Sequence, residues 1–405
     1  IDCKGVMIGI LEAVNYLLKV GFQPKRTVYL AFGEDEEVSG ARGAGQIVRT
    51  LKDRKVRLSF LLDEGGSITR EVIPGIEAPV GMIGVGEKGH LSLVLRAQTT
   101  PGHASAPAQV TSIGALSLAI ATLENNPFPQ DLEMAEFMMS FLANELPFTQ
   151  KMMLANPWLF GGILKSRFAA APILNAFTRT TIAPTIIKGG HTENVLPALA
   201  EATINLRLLQ GDTLTDVLKQ INDLVADDVV EVFPAHDDSL YGDHSWDPTE
   251  ISDVNSPQFH ILLDLIKTLV PGALPVPFIM NGATDARLYM EICDRVFRFS
   301  PFLLESEENE SVHGINERLS FENAARIVSF MIEVIEKIAN IDSDELEEEE
   351  LEEELELDDE LVSKAIRELE SPLPTRPMKQ LEREPIEEET DFFDDDEPLE
   401  VKPMK

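Results

Sequence analysis

The sequence predicts an α/β fold in which a first domain is interrupted by an inserted α+β domain. Residues 26–66 show apolar runs that end in acids and lead into helical patterns, which is typical of one sheet flanked by helices. Residues 87–235 change to strands with alternating apolar and polar positions. The first pattern returns from residue 256. We therefore predict a discontinuous first domain, residues 1–86 and 236–340, around the inserted one.

Four elements are predicted at the start of the first domain. Apolar residues recur at helical spacing over residues 5–20, which predicts a buried amphipathic helix. The run RTVYLAF at 26–32 predicts a strand, residues 40–54 a helix, and residues 56–66 a strand ending in acids. In sheets of this kind, ligand sites lie at the carboxyl ends of the strands.

The inserted domain and the return to the first pattern give a second set of elements. The predicted strands are 90–97, 200–209 and 229–235, and the predicted helices are 112–126, 213–227, 256–270 and 320–339. Residues 132–177 are rich in Met, Phe and Leu. This stretch predicts either helices packed on the inserted domain or an adaptable apolar groove for an acyl chain.

The charge of the chain disfavours two classes of partner. The 405 residues carry a formal net charge of -36, with acids concentrated in residues 341–405. This balance disfavours nucleic acid and anionic membranes, and no apolar run reaches the roughly 18 residues that a membrane span requires. The low-complexity acidic tail, 341–405, predicts a solvated, disordered segment. Cys3 and Cys293 are too few for a disulfide framework.

Residues 34–37 are four consecutive acids directly after a predicted strand. Adjacent carboxylates repel one another, so solvent, hydrogen bonds or cations must offset their charge in a fold. The candidate ligands beside predicted strand ends or helix starts are Asp2, Glu37, Asp63 and His313. Carboxylates with an imidazole suit zinc. From the residues alone, exposed acids at turns remain the alternative.

Six segments carry a resemblance to a known family. They are DEEVSG (35–40), LLDEGG (61–66), TPGHASAP (100–107), ENVLPALAEATINLR (193–207), GATDAR (282–287) and HGINER (313–318). Their order resembles that of the di-zinc aminoacylase/carboxypeptidase peptidases, and most of all the carboxypeptidase S and N-fatty-acyl-amino-acid synthase/hydrolase branch. The resemblance spans about residues 1–340. It implies a discontinuous zinc-peptidase catalytic domain with an inserted lid/dimerisation domain at 87–235.

The resemblance implies a set of metal ligands for two zinc ions per active site. Asp2 takes the place of the aspartate that bridges both ions. Glu37 and His313 bind one ion, and Asp63 binds the other. The family supplies a further His from an HxDVVP motif upstream of the bridging aspartate, and this sequence has no such motif before Asp2. We therefore expect an N-terminally incomplete sequence. The segment 236–238 fits H-x-D formally but follows the last predicted strand of the insert, so we interpret it as a turn.

The resemblance also implies catalytic and substrate-binding residues. Glu36 matches the general base that activates water, and His103 matches a histidine that stabilises the oxyanion. That histidine often reaches into a partner subunit, which implies a homodimer through the lid domain. The residues that match substrate-binding positions are Asn194, Arg207, Gly282, Thr284 and Asp285.

The expected activity is zinc-dependent hydrolysis of the amide bond of N-acyl amino acids, with synthesis as the reverse reaction. The apolar stretch at 132–177 favours long acyl chains. One alternative is a carboxypeptidase or dipeptidase of the same family, acting on short peptides. The other is a catalytically inactive fragment or scaffold, because the upstream His ligand is absent. Relatives are secreted or vacuolar, so the resemblance suggests secretion or a vacuolar or lysosomal lumen.

Overall fold

Two four-stranded sheets form the framework of the described chain. The computed structural model describes residues 1–341 except 71–72, 74–75, 144, 236–244 and 305–310. The acidic tail beyond Ile341 and the segment 236–238 lie outside the described residues. None of the described helices is long and apolar enough to cross a bilayer.

Helices and strands alternate along the described chain. The helices are α1 (Lys4–Lys19), α2 (Ala44–Asp53), α3 (Ser112–Asn125), α4 (Glu133–Phe141), α5 (Phe148–Leu154), α6 (Pro157–Ala170), α7 (Pro172–Ala176), α8 (Leu214–Val225), α9 (Pro257–Leu269), α10 (Ala286–Tyr289) and α11 (Phe321–Ile338). The strands are β1 (Leu61–Thr69), β2 (Val80–Glu87), β3 (Gly89–Gln98), β4 (Gly102–His103), β5 (Thr181–Gly189), β6 (Val195–Leu196), β7 (Leu199–Leu208), β8 (Val230–Pro234), β9 (Leu274–Met280) and β10 (Val296–Leu304).

Side-chain caps fix where several predicted helices begin. Helices α3, α8, α9 and α11 follow Thr111, Thr213, Ser256 and Ser320, whose hydroxyls accept a backbone N–H of the first turn. Such a cap supplies a partner to an N–H that the helix itself leaves unpaired. The sequence-predicted starts of these helices lie close to the observed ones for this reason.

The first sheet has the strand order β1-β10-β2-β9. Strand β1 runs parallel to β10 and β2 runs parallel to β9, while β10 and β2 are antiparallel. The register shifts between Asp63 and Gly66 and again between Gly84 and Gly86. One buried cluster joins residues of this sheet to residues of α1, α9 and α11, including Phe259, Phe297, Phe299 and Phe330. This sheet therefore forms part of a core shared with three helices.

The second sheet has the order β5-β7-β3-β8, and all its pairs are antiparallel. Strands β3 and β7 pair without a break from Gly89–Leu208 to Gln98–Leu199. Alternate residues of β3 are buried in one cluster with residues of α3 and α8. A short ladder of β4 and β6 lies apart from this sheet in the pairing order. The predicted α/β fold with an α+β insert is observed, and the exact domain boundaries stay predictions.

The structure does not support the predicted strand at 26–32. Residues 27–33 carry no strand assignment and have no ladder partner among the described residues. Val28, Tyr29, Leu30 and Phe32 are exposed. A strand needs a neighbour for its N–H and C=O groups, and here the apolar alternation alone does not supply one.

Helices α4 to α7 occupy the Met- and Phe-rich stretch at 132–177. Helices were predicted there, but α4 packs against the first sheet instead of the inserted one. Its Met138 and Met139 lie in one buried cluster with Val80 and Val276. Several large apolar side chains of α5 and α6 remain exposed: Phe148, Trp158, Leu159 and Ile163.

Candidate active site

Three of the four predicted metal ligands come together. The ligand atoms of Asp2, Glu37 and His313 all lie within 4.8 Å of one another. His313 Nε2 hydrogen-bonds to Asp2 and lies 3.4 Å from Glu37 Oε1. His313 has a φ of 57°, which non-glycine residues rarely adopt and which is frequent at functional sites. Residues near the two ends of the described chain thus come together. We call Asp2, Glu37 and His313 the donor group.

Asp2 also belongs to a second donor group. Its carboxylate, the Cys3 thiol and the Glu64 carboxylate offer ligand atoms within 4.8 Å of one another. Asp63, the fourth predicted ligand, belongs to neither group among the described residues. Its Oδ1 accepts a hydrogen bond of 2.8 Å from the Glu64 N–H. Burial raises the pKa of Asp63.

The acidic turn gives its four acids different environments. Asp35 is buried, and its carboxylate accepts hydrogen bonds of 2.8 Å from the N–H groups of Arg42 and Gly43, just before α2. These bonds offset its charge, as a carboxylate at a helix N-terminus does. Glu36 and Glu37 lie in a short 3₁₀ helix. Asp35 thus holds the turn, while Glu37 faces solvent beside Asp2 and His313.

Glu36 is half-buried next to the donor group. Burial raises its pKa to about 7, and the carboxylates of Asp285, Glu37, Asp2 and Asp63 contribute to the increase. A carboxylate with a pKa near neutrality suits a general base. Burial also raises the pKa of Glu64 to about 8, with neighbouring carboxylates again contributing.

The donor chemistry fits a divalent metal ion. Asp2 and Glu37 supply oxygen and His313 supplies imidazole nitrogen, a combination that zinc takes in proteins. Burial, and after it the negative charge of neighbouring carboxylates, raises the pKa values of Glu36 and Glu64. A bound cation would offset this charge and favour the ionised carboxylates.

His103 and Asn194 meet in the ladder of β4 and β6. Ala104 N–H donates to the carbonyl of Asn194 at 2.9 Å, and His103 pairs with Val195. The Ser105 N–H lies 3.2 Å from His103 Nδ1 and donates to it. Ser105 Oγ lies 2.7 Å from the same Nδ1, so the Ser105 backbone and side chain together orient the His103 ring. In the described chain, no hydrogen bond or ion pair joins this ladder to the donor group.

Arg207 lies on β7 opposite His90 of β3. Its side chain is half-buried, and burial lowers its pKa. Among the described residues its guanidinium has no ion pair. A partly desolvated cation of this kind is suited to binding an anionic group.

The GATDAR loop packs against the acidic turn. A Cβ at Gly40, whose φ is 67°, would lie 1.9 Å from Asp285 Oδ1, so only glycine permits this approach. Burial raises the pKa of Asp285 to about 6, with Asp63 contributing. Gly282 is exposed, whereas Thr284 is buried and donates to Glu87. Asp285 therefore lies with the acids, and the hydroxyl of Thr284 is directed into the protein.

Comparisons with known proteins match the inserted domain to a family model and most of the chain to relatives. The family model described as a peptidase dimerisation domain matches residues 85–232. The N-fatty-acyl-amino acid synthase/hydrolase PM20D1 of Bos taurus is 37% identical over 350 residues, which cover 85% of this chain and 67% of the relative. The chain belongs to the M20 peptidase family.

Other M20 relatives are similar over comparable lengths. PM20D1 of Mus musculus is 40% identical over 341 residues, covering 83% of this chain and 66% of the relative. The probable carboxypeptidase S-like 2 of Dictyostelium discoideum is 34% identical over 336 residues, covering 82% and 63%. The chain thus spans slightly less than two thirds of the length of these two relatives.

The M20 fold is also shown by a solved structure. The M20 family metallo-carboxypeptidase Sso-CP2 of Sulfolobus solfataricus superposes with a TM-score of 0.56 at 17% identity. The match covers 83% of this chain and 76% of that chain. It confirms the predicted fold class.

Three charged residues of this M20 chain were missed by the sequence analysis. Arg287 donates to the carbonyls of Ser39 (2.7 Å) and Thr284 (2.9 Å), and it lies 4.4 Å from the centroid of the Trp246 ring. It therefore ties the GATDAR loop to the acidic turn. Glu87 and Arg298 form a fully buried ion pair. A charged residue within the apolar run RVFRFS was the available signal for Arg298.

Proposed function

We propose that this chain carries the active site of a zinc-dependent enzyme that hydrolyses the amide bond of N-acyl amino acids, with synthesis as the reverse reaction. The observation that carries the proposal is the group formed by Asp2, Glu37 and His313, with Glu36 beside it. Relatives named N-fatty-acyl-amino acid synthase/hydrolase support the substrate class.

Two zinc ions complete the proposed site. Asp2, Glu37 and His313 would hold one ion, and Asp63 would hold the second with Asp2 shared between them. Zinc, when bound, lowers the pKa of water and polarises a carbonyl oxygen. The cluster of carboxylates around Glu36 supports a site of this charge.

Glu36 is the proposed proton carrier. It takes a proton from the attacking water as the water oxygen bonds to the amide carbon. It returns that proton to the nitrogen as the C–N bond breaks, which releases a fatty acid and an amino acid. Without metal, burial and then the neighbouring carboxylates raise its pKa to about 7. A bound cation would lower that pKa toward the ionised form, which accepts a proton.

The inserted domain supplies the proposed polar contacts to substrate. His103, oriented by Ser105, would donate a hydrogen bond from Nε2 to the developing oxyanion. Arg207, with Asn194, would hold the substrate carboxylate. Gly282 and Asp285 border the same site in this proposal, and the buried Thr284 holds their loop in place.

The chain is proposed to act as a homodimer through the inserted domain. The matched dimerisation domain supports this, as does the edge strand β5, which exposes Ile186 and Ile187. The acyl group is proposed to contact the exposed apolar side chains of α5 and α6, among them Phe148 and Trp158.

The test combines zinc content with a substrate panel. We expect zinc in the dialysed protein by elemental analysis, and release of the amino acid from N-acyl amino acids at rates that rise with acyl length. Zinc-loaded protein that hydrolyses none of these substrates would contradict the proposed reaction. Equal rates for short and long acyl groups would remove the acyl-chain part alone.

A carboxypeptidase or dipeptidase is the second candidate, favoured by the similarity to a probable carboxypeptidase S-like protein. Short peptides with a free carboxylate, assayed beside the N-acyl amino acids, separate the two. Cleavage of peptides with no release from N-acyl substrates would favour the peptidase. A chain that holds no zinc and cleaves neither substrate would favour an inactive scaffold.

A further inference from the structure

A buried ion pair lies in the first sheet, next to the candidate active site. Glu87 ends β2 and Arg298 lies in β10, and both side chains have 0% exposure. Arg298 Nε donates to Glu87 Oε1 at 2.6 Å. Buried charges of this kind require close partners, because an unpaired one costs several kcal/mol. The pair joins two strands whose residues are 211 positions apart.

Glycines make room for the side chains of Arg298 and Met280, whose Sδ would lie 2.7 Å from a Cβ at Gly65 and 2.9 Å from one at Gly84. A Cβ at Gly65, whose φ is 140°, would lie 2.8 Å from the Cβ of Arg298. A Cβ at Gly84 would lie 3.0 Å from the same atom. These are closer than side chains normally pack, so both positions accommodate Arg298 together with Met280.

Glu87 also holds the GATDAR loop. Thr284 donates to the Glu87 carboxylate twice, from Oγ1 to Oε1 at 2.8 Å and from its N–H to Oε2 at 3.2 Å. The Ala286 N–H then donates to the Thr284 hydroxyl at 3.2 Å. Glu87 thus fixes the start of α10, which places Asp285 against the acidic turn.

The same ion pair lies next to a proposed metal ligand. Asp63 and Arg298 are register partners on the parallel strands β1 and β10. Paired residues on neighbouring strands project to the same face of a sheet, so their side chains are neighbours. Arg298 is therefore a neighbour of Asp63 while its Nε donates to the Glu87 carboxylate.

We propose that Glu87 is a positioning residue of the active site: by binding Arg298 and Thr284 it leaves Asp63 free to bind metal and holds the GATDAR loop in place. The inference rests on the proposed function for the metal ion, but its effect on the loop does not depend on the ion. Glu87 acts through its neighbours and is not itself a catalytic residue.

The charge of Glu87 decides the direction of the effect. In the variant Glu87→Gln, Arg298 keeps its buried charge and loses its carboxylate partner. The guanidinium is then attracted to Asp63, its register neighbour. Arg298 therefore competes with the metal ion for the Asp63 carboxylate. We expect zinc affinity to fall by about 10- to 100-fold, which is typical when a residue that orients a metal ligand is replaced.

The test uses the full chain with two matched variants. Glu201→Gln is the control for the same bond in the inserted sheet, where Arg96 Nε donates to Glu201 Oε1 at 2.6 Å. That pair is partly exposed, 41% and 30%, so burial is controlled by the double variant. The double variant Glu87→Gln/Arg298→Met removes both charges of the buried pair. Zinc affinity is measured by competition with a chromophoric chelator, and amide exchange of residues 282–287 by mass spectrometry on metal-free protein.

The expected pattern has three parts. Glu87→Gln weakens zinc binding and speeds exchange over 282–287, Glu201→Gln changes neither, and the double variant binds zinc more tightly than Glu87→Gln. The recovery in the double variant would not follow from general unfolding. Unchanged exchange and unchanged zinc affinity in Glu87→Gln would overturn the inference.

The readouts also separate this inference from the proposed function. A wild-type chain that binds no zinc would contradict the metal centre, while the exchange measurement would still test the loop. Fast exchange in both Glu87→Gln and Glu201→Gln would show that losing any such ion pair loosens the protein. That result would also overturn the positioning role.

Discussion

The inserted sheet and the first sheet differ in how regularly their strands pair. In the inserted sheet, the central pair β3 and β7 runs over ten positions without a shift, and alternate residues are buried. Its one shift among the described residues lies toward the edge strand β5, between Pro184 and Ile186. In the first sheet, the register shifts after Asp63 and after Gly84. The charged residues near the candidate active site, Asp63, Glu87 and Arg298, lie in the first sheet beside these shifts.

The two sheets therefore differ in role. The inserted sheet is a regular support, and the first sheet carries the charged residues near the candidate active site. Regular pairing with an alternating apolar face gives hydrophobic burial and satisfies the backbone. Register shifts redirect side chains and let a buried charge reach partners outside its own strand. The first sheet therefore places Asp63 beside its register shift, whereas the inserted sheet holds Arg207 in a regular ladder.

The largest effect is expected at the acidic turn, on the side of the first sheet. Glu36→Gln should lower amide hydrolysis by about 10²- to 10⁴-fold, because a general base contributes this much. Zinc content should stay unchanged, since Glu36 is not a proposed ligand. Initial rates and elemental analysis on the same preparation measure both quantities.

The matched control for Glu36 is Glu34→Gln, which removes an exposed acid of the same turn. It should retain nearly full activity. A comparable loss in both variants would show that the charge of the turn matters and the position of Glu36 does not.

A stability measurement compares a regular strand of the inserted sheet with the unpaired segment 27–33. Leu93 is fully buried in β3, so Leu93→Ala should lower the free energy of unfolding by about 2–5 kcal/mol. Leu30 lies in the unpaired segment 27–33 and is 42% exposed. Leu30→Ala should cost less than about 1 kcal/mol, as surface substitutions do. Urea unfolding measures both, and similar losses would show that Leu30 is covered in solution.

The sequence predicted elements whose pattern is local. The alternation in β3 and β7 and the helical spacing in α1 and α11 are visible within one element, and each was found. Strands β2, β9 and β10 were not predicted. They are mostly buried along their length, so they lack the alternation that marks a half-exposed strand.

The candidate site was predictable only in part for a similar reason. Asp2, Glu37 and His313 were selected because their motifs resemble a family, and the structure brings these three together. No local pattern relates Glu87 to Arg298, since their contact depends on two strands meeting in space. The segment 26–32 shows the converse, because its local pattern predicts a strand that finds no partner in the described chain.

The junction between the two sheets gives the smallest expected effect. The chain passes from β2 to β3 at Lys88, whose Nζ donates to the carbonyls of Ala176 (2.9 Å) and Arg179 (2.7 Å). Burial, together with the charge of Arg207, lowers the pKa of Lys88 from 10.5 to about 7, although Asp212 opposes the shift. Lys88 is therefore a cation held in the folded protein at a cost.

The pH dependence of the free energy of unfolding follows from whether Lys88 is protonated in the folded and in the unfolded state. Between pH 7 and 10.5, the unfolded chain retains the Lys88 proton while the folded chain releases it. The unfolded state binds more protons in this window, so the free energy of unfolding rises with pH, by up to about 1.4 kcal/mol per pH unit. Below pH 7 both states are protonated and this contribution is constant.

Lys88→Met should remove this rise, since methionine does not titrate. Urea unfolding of both proteins from pH 7 to 9 should show the wild type gaining stability relative to the variant. Lys219→Met, which removes an exposed lysine of α8, should keep the wild-type slope. Parallel curves for wild type and Lys88→Met would show that the carbonyls of Ala176 and Arg179 retain the proton on Lys88, and that the junction tolerates a buried charge as the first sheet does.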